Sequence, residues 1–301
     1  MEPISLQATG GARRRLRINR LAEIGAVLAA LVAVAALSIL VGSVLVRAIP
    51  ALSWDFFTKG PAVFGESGGG IAPALVGTAM LVLIATAMAL PIGVLIALYV
   101  SEFARPRISE QIKLWLDVLN GFPSIVIGIF VFALAVKTKV PIIGISHHQS
   151  VYAGGFALAI IMLPLVSRTT MEVLALVPNH LREASYALGV SKWRTVVSVI
   201  LPTAIGGIVT ATIVAVARAA GETAPLLFTT SIFVGTAVNT DPSQAMASIP
   251  MVIFSYSESP DPHAQQQAWA AALVLVAVVL VGSIAGRLLS LRTRRQIEQV
   301  R

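Results

Sequence analysis

From Leu21 to Leu289 the chain is built of apolar runs of about 20 residues or more, the length at which a helix crosses the hydrocarbon core of a bilayer. Six such runs stand in the sequence: Leu21–Val46, Pro73–Ser101, Val118–Val136, Tyr152–Val173, Val196–Ala220 and Ala268–Leu289. Apolar residues make up 56% of the chain against 12% charged, with a mean hydropathy of +0.86. A soluble core cannot absorb that much apolar surface, so the bilayer has to be the solvent. The expected fold class is an all-α integral membrane protein with six transmembrane helices. The first run is too long for a signal peptide and reads as a retained span. There is no cysteine, which removes disulfides, thiolate chemistry and cysteine metal sites.

The boundaries follow from these runs. Residues 1–20 form a basic polar tail, 21–46 the first span and 47–72 a Gly- and Pro-rich external loop, with Trp54, Phe56 and Phe57 suited to the interface. Residues 73–290 form the main transmembrane domain, with a polar loop at 178–195, and 291–301 a second basic tail. Pro91 and Gly93 predict a kink in the second run. Leu226–Val238 is apolar but short, suited to a re-entrant piece, and 239–267 reads as a polar connection punctuated by proline.

Net charge is +8, but the basic residues collect at the ends of the apolar runs and not along a polar face, which argues against nucleic acid. Six spans put both termini on one side. That side carries Arg13, Arg14, Arg15, Arg17, Arg20, Arg105, Arg107, Lys113, Arg182, Lys192, Arg194 and the basic residues from Arg287 to Arg301; the other has only Arg47, Lys59, Lys137 and Lys139. The positive-inside rule then makes both termini cytoplasmic.

Between the fourth and fifth runs lies LREASYALGVSKWRTVVSVILP, Leu181–Pro202. A loop that only reconnects two spans needs a few polar residues, whereas this one reads as a helix of its own. Asn179 offers a cap, Arg182 and Glu183 open the first turn, and Leu181, Ala184, Tyr186, Ala187 and Leu188 supply apolar contacts. Gly189 stands where the helix would stop. A plain interfacial amphipathic helix is the blander reading. The chain has no Gly-x-x-x-x-Gly-Lys-Ser/Thr loop for nucleotide phosphates, so it is not expected to be an enzyme. His147–His148 has no carboxylate or further His at ligand spacing and reads as loop surface.

Charges inside the spans are costly and usually face a partner or a watery path. Arg218 and Glu222 are four residues apart, on one face if the helix continues, and Gly221 and Pro225 predict that it breaks there. A second helix starting near Thr223 would then turn its amides toward an anion, with Arg218 supplying a forked donor. Two plainer readings compete. The pair could neutralise itself for insertion, or it could already sit at the outer interface, since sixteen residues past Pro202 is about 24 Å of helix rise. Arg168, in the fourth run, either joins the path or snorkels to the surface.

The spacing of Glu183-Ala184-Ser185, Gly189, Val199 and Leu201-Pro202 resembles the "EAA" docking loop of ABC importer permeases. Ser185 stands where that family usually has Ala, and Val199 where it has Ile. Together with Gly70–Thr78 (GIAPALVGT) and Arg218–Pro225 (RAAGETAP), the chain resembles the A-type permease subunits of bacterial phosphate-specific ABC importers. The sister C-type subunits share a similar Gly-Glu-Thr.

The resemblance implies a type I importer permease fold of the MetI-like kind in the bacterial inner membrane. It further implies a heterodimer with a C-type permease, two copies of a cytoplasmic ATPase and an external phosphate-binding protein. Glu183, Ala184, Ser185, Gly189, Leu201 and Pro202 would couple to the ATPase, which would hold the ATP and magnesium; this chain would bind no cofactor. Arg218, Glu222, Thr223 and Arg168 would line the path of inorganic phosphate. Permeases for other oxyanions such as sulfate or phosphonate share the docking loop, and a secondary transporter would share the intramembrane charges but has no need of that loop.

Overall fold

The computed structural model describes residues 11–62, 68–137, 149–231, 235 and 237–299. The described residues are helical apart from connections and one isolated antiparallel bridge, Pro61 to Gly69. His147–His148, residues 232–234 and 236 of the Leu226–Val238 segment, and the outermost residues of both tails lie outside the described residues.

α1 (Gly11–Ala48) leads through a 3-10 turn to the short α2 (Trp54–Thr58) and then to α3 (Ala72–Leu98), which ends in a π turn, Tyr99–Phe103. α4 (Pro106–Gly121) and α5 (Ser124–Lys137) follow, then α6 (Val151–Ala175), α7 (Asn179–Ala187) and α8 (Lys192–Thr195). A second π turn, Val196–Ile200, carries α8 into α9 (Leu201–Ala220); after it come α10 (Leu226–Thr229), α11 (Ile249–Ser257) and α12 (Pro262–Gln299). Five helices among the described residues are long and apolar enough to cross a membrane: Arg14–Ala51, Ala72–Phe103, Val151–Ala175, Lys192–Ala220 and Pro262–Ala285.

The third expected crossing differs. In place of one helix over Val118–Val136, α4 and α5 form a broken pair bent by 96°. Proline disfavours helical backbone in the residue before it, and Phe122, ahead of Pro123, is extended at φ −67°, ψ 135°. Residues 118–121 therefore finish the amphipathic α4, which buries Leu116. Two tails also differ, because residues 11–20 and 291–299 continue α1 and α12 as helix.

The tightest seam joins α3 to α6. Leu81, Ala85, Ala89, Gly93 and Ala97 recur every fourth residue along α3 and are all buried. They meet Leu158, Met162, Val166 and Leu174 of α6. Without a hydrophobic drive between helices in lipid, such small residues allow the close approach from which packing energy comes.

At the end of the bundle away from α7, a second cluster joins Ala48, Phe56, Ile71, Ile249, Val252 and Ala270. Here two sequence expectations are corrected. Phe56 is core, 1% exposed, with Ser53 capping its helix by accepting from the Phe56 N–H, while Trp54 stays exposed. Residues 249–257, expected within a polar connection, form α11 with Ile249, Pro250, Met251 and Val252 buried. The loop before α11 completes α6: the Val151 and Tyr152 N–H groups donate to Gln244 O and Pro242 O. α1 packs along α12, with the Arg47 guanidinium 4.7 Å above the Trp269 ring, and otherwise presents its apolar surface outward.

Candidate functional site

The loop after α6 folds into two short helices held from behind. α7 begins at Asn179, so Asn179 is its first residue and not its cap; its Oδ1 accepts from Arg182 Nη1 at 3.2 Å. At the other end, Gly189 N–H donates to Tyr186 O and Val190 N–H to Ser185 O, with Gly189 at φ +73°. This is the Schellman arrangement that ends a helix and satisfies its last carbonyls. No atom lies within 4 Å of the position a Gly189 Cβ would take, so backbone conformation and not crowding calls for glycine.

Ser185, buried, shares a 2.8 Å hydrogen bond with Thr195 Oγ1, joining α7 to α8. Leu181 packs into the bundle, but Ala184, Tyr186, Ala187 and Leu188 do not: they are exposed together with Glu183 and Trp193. Leu188, at 84% exposed, is covered by nothing in its own chain.

Leu201 packs against the same cluster and Pro202 is exposed at the start of α9. Proline has no N–H and its ring crowds the carbonyl one turn back, which ordinarily breaks a helix. The π turn just before it absorbs the misfit, with Leu201 N–H reaching back five residues to Val196 O. α8 and α9 thus form one continuous helix.

At the far end of α9, Arg218 and Glu222 face each other, Nε to Oε1, at 3.8 Å. Their side chains are 55% and 19% exposed. α9 ends at Ala220, and Gly221 N–H and Glu222 N–H donate to Arg218 O and Ala219 O. Gly221 has an ordinary φ of −93°, so nothing in its conformation demands glycine. The expected second helix is only the single turn Leu226–Thr229, and the amides of Leu226 and Leu227 already donate to Thr223 O. A helix N-terminus open to an anion is therefore not what the structure places at Thr223. Arg218 is instead exposed beside Val214, one turn earlier, and outside the buried seam of Ala204, Ile208, Ala211, Ala215 and Ala219.

The turn after Glu222 is positioned by a residue the sequence did not single out. A Cβ on Gly128 of α5 would stand 2.6 Å from Pro225 Cα and 2.7 Å from its carbonyl oxygen. Gly128→Val is expected to push this turn outward, with destabilisation of about 1–3 kcal/mol, typical of overpacking. Thermal unfolding of the detergent-solubilised chain measures the loss, and an unchanged melting temperature would refute the contact.

Arg168 is not brought to Arg218. Its Nη2 pairs with Asp117 Oδ2 on α4 and donates to Lys113 O at 3.2 Å. Sequence reasoning also missed Glu102, which lies in the first π turn, 8% exposed, with Oε1 2.8 Å from Arg182 Nη2. An acidic residue closing a long apolar run was the available signal.

Helices of this order, with an amphipathic loop held outside the bundle and charges on an uncovered face, define a membrane permease component. The profile of the family described as "Binding-protein-dependent transport system inner membrane component" matches residues 89–295, and the chain belongs to that family. Among its curated relatives is the phosphate transport system permease protein PstA of Yersinia pestis, 37% identical over 248 residues, 82% of this chain and 81% of that protein. The PstA of Haemophilus influenzae is 41% identical over 82% of this chain and 84% of its own. The PstA of Xylella fastidiosa (strain Temecula1) is 35% identical and covers 94% of this chain and 96% of its own.

Solved structures share the fold at lower identity. A bacterial alginate ABC transporter in complex with an alginate pentasaccharide-bound periplasmic protein aligns at TM-score 0.62, 10% identical, over 94% of this chain and 97% of that one. An inward-facing MetNI methionine ABC transporter aligns at TM-score 0.56, 19% identical, over 74% and 94%.

Proposed function

We propose that this chain is one membrane-spanning half of an ATP-driven importer of inorganic phosphate. The observation that carries the reading is α7, fastened to the bundle by Arg182 and Ser185 yet presenting Glu183, Ala184, Tyr186, Leu188 and Gly189 to something outside the chain. In this reading that partner is a cytoplasmic ATPase dimer, which binds and hydrolyses the ATP with magnesium. The α7 end and both termini are cytoplasmic, as the basic residues require, and the membrane is a bacterial plasma membrane.

The uncovered face of α9 at Val214 and Arg218 supports the rest. Arginine facing lipid costs about 2.5–3.5 kcal/mol even on insertion scales, and Arg218 is not covered by its own chain. A second permease, the C-type sister, would close that face, leaving Arg218, Glu222 and Thr223 on the path between the two halves. Arg168 would meet the anion only by exchanging Asp117 for it. An external binding protein would deliver phosphate at the opposite end, and this chain would bind no cofactor.

The test is uptake of radiolabelled phosphate into vesicles holding this chain, the C-type permease and the ATPase, supplied with the binding protein. Uptake that needs internal ATP and is not displaced by sulfate is the expected result. Uptake driven by a proton gradient without ATP, or of sulfate in preference, would overturn it.

A further inference from the structure

The Arg182 guanidinium ties α7 to the nearby end of α6 and to the end of α3, 80 residues earlier. Its Nη2 and Nε donate to Glu102 Oε1 at 2.8 and 3.2 Å, its Nη1 to Val177 O at 2.7 Å, and its Nη2 also to Leu174 O at 3.2 Å. Leu174 O lies in the last turn of α6, where it also accepts from the Val177 N–H, and Val177 O lies in the link before α7. Arg182 thus caps α6, belongs to α7 and holds the end of α3 through an acid whose side chain is only 5% exposed. A second contact follows the same route, since Lys192 Nζ sits 5.4 Å from the Phe103 ring and Phe103 lies 6.4 Å from Trp193.

Three routes therefore lead from these helices into the bundle. Two are covalent: Leu176–Pro178 ties α7 back to α6, and α8 runs through the second π turn into α9. The third is this joint, with the Lys192–Phe103–Trp193 contact beside it, which reaches the end of α3. A joint of this kind need not be rigid. The guanidinium borders a cavity of about 400 Å³ that also receives Ser101, Ser109 and Lys113, so its partners can be reshaped without full desolvation of the charges.

We propose that the Arg182–Glu102 pair is the positioning element that makes α3 follow the docking helix, so that ATP turnover in the partner is converted into transport. The inference rests on the docking reading above. Without the pair, displacement of α7 reaches α6 and α9 but leaves α3 behind, and ATP is hydrolysed with little import. Replacing a buried ion pair by apolar residues of similar volume is often tolerated, whereas removing one partner strands a charge; a double substitution therefore separates folding from coupling.

The experiment uses the whole complex in proteoliposomes with binding protein and radiolabelled phosphate, comparing Glu102→Gln, Arg182→Met and the double Glu102→Leu/Arg182→Met. ATPase co-purification, ATP hydrolysis and phosphate imported are measured on the same preparations. The expected result for the double variant is normal ATPase retention with phosphate imported per ATP reduced about tenfold, within the range of ordinary coupling free energies. A double variant that imports at the original ratio would overturn the proposal and leave the pair as a fold-stabilising contact. So would a double variant whose import falls only in proportion to the ATPase it retains. Failure of the unsubstituted chain to retain ATPase would strike the docking reading itself, and this joint with it.

Discussion

Arg218→Gln is expected to reduce phosphate import to background in a complex that still assembles and inserts at normal levels. The substitution leaves a shorter polar side chain with fewer donors and removes the one charged residue of α9. Glu222, 19% exposed and 3.8 Å away, would lose its counter-charge and repel an approaching anion. Glu222→Gln separates two roles for the acid. Phosphate near neutral pH still carries a proton that a carboxylate can accept as a hydrogen bond, while sulfate has none to offer. If Glu222 filters, import falls and competition by sulfate rises; if it only tethers Arg218, import falls with preference unchanged. Both variants importing at the original rate would place the path elsewhere and leave a structural ion pair.

Gly189→Val is the second large effect, and the structure sharpens its reason. A β-branched residue at φ +73° meets its own backbone, a penalty of about 1–2 kcal/mol for L-residues generally. The chain would escape by unwinding the Schellman turn, which also holds the Val190 N–H on Ser185 O and so the Ser185–Thr195 link. ATPase pull-down and phosphate import are expected to fall together, by about tenfold or more, if a typical 1–2 kcal/mol is lost from docking. Asparagine visits this conformation readily, and the space around the Cβ position is open within the chain. Gly189→Asn should therefore keep most of both activities. Equal losses in the two variants would mean that the partner packs against the glycine; normal pull-down and import by the valine variant would remove Gly189 from docking.

How much of this could be read from residues alone depended on the range over which each feature is determined. Long apolar runs announce spans locally, and α6 begins and ends within two residues of the expected Tyr152–Val173. The loop after α6 was legible in part: the stop at Gly189 is decided within about one helical turn, whereas the expected cap, Asn179, is the first residue of α7. Broken or short elements were harder. Phe122-Pro123 divides a run whose apolar character continues past it, and nine residues of α11 give too little periodicity to stand out from polar flanks.

Contacts across the bundle left no local trace. Glu102 and Arg182 are 80 residues apart, and Asp117 and Arg168 are 51 apart, so each arginine looked like a topology signal or a candidate for the path. Nor does the sequence of α7 tell which of its apolar residues meet the bundle: Leu181 does, and Ala184, Tyr186, Ala187 and Leu188 are exposed.

The continuous helix from Lys192 to Ala220 sets a rule for how this segment can drift in evolution. Its 29 residues span about 43 Å at the usual helical rise. α8, next to the proposed docking surface, stands at one end and Arg218 near the other, with no flexible joint between them to absorb an error of phase. One residue gained or lost would turn Arg218 by about 100° against the docking surface, from an open face into the alanine seam. The helix-compatible exceptions are changes that restore a whole number of turns or that fall in the π turn, which already carries one residue of slack. Amino acids along this helix are free to vary by size and polarity; their number is not.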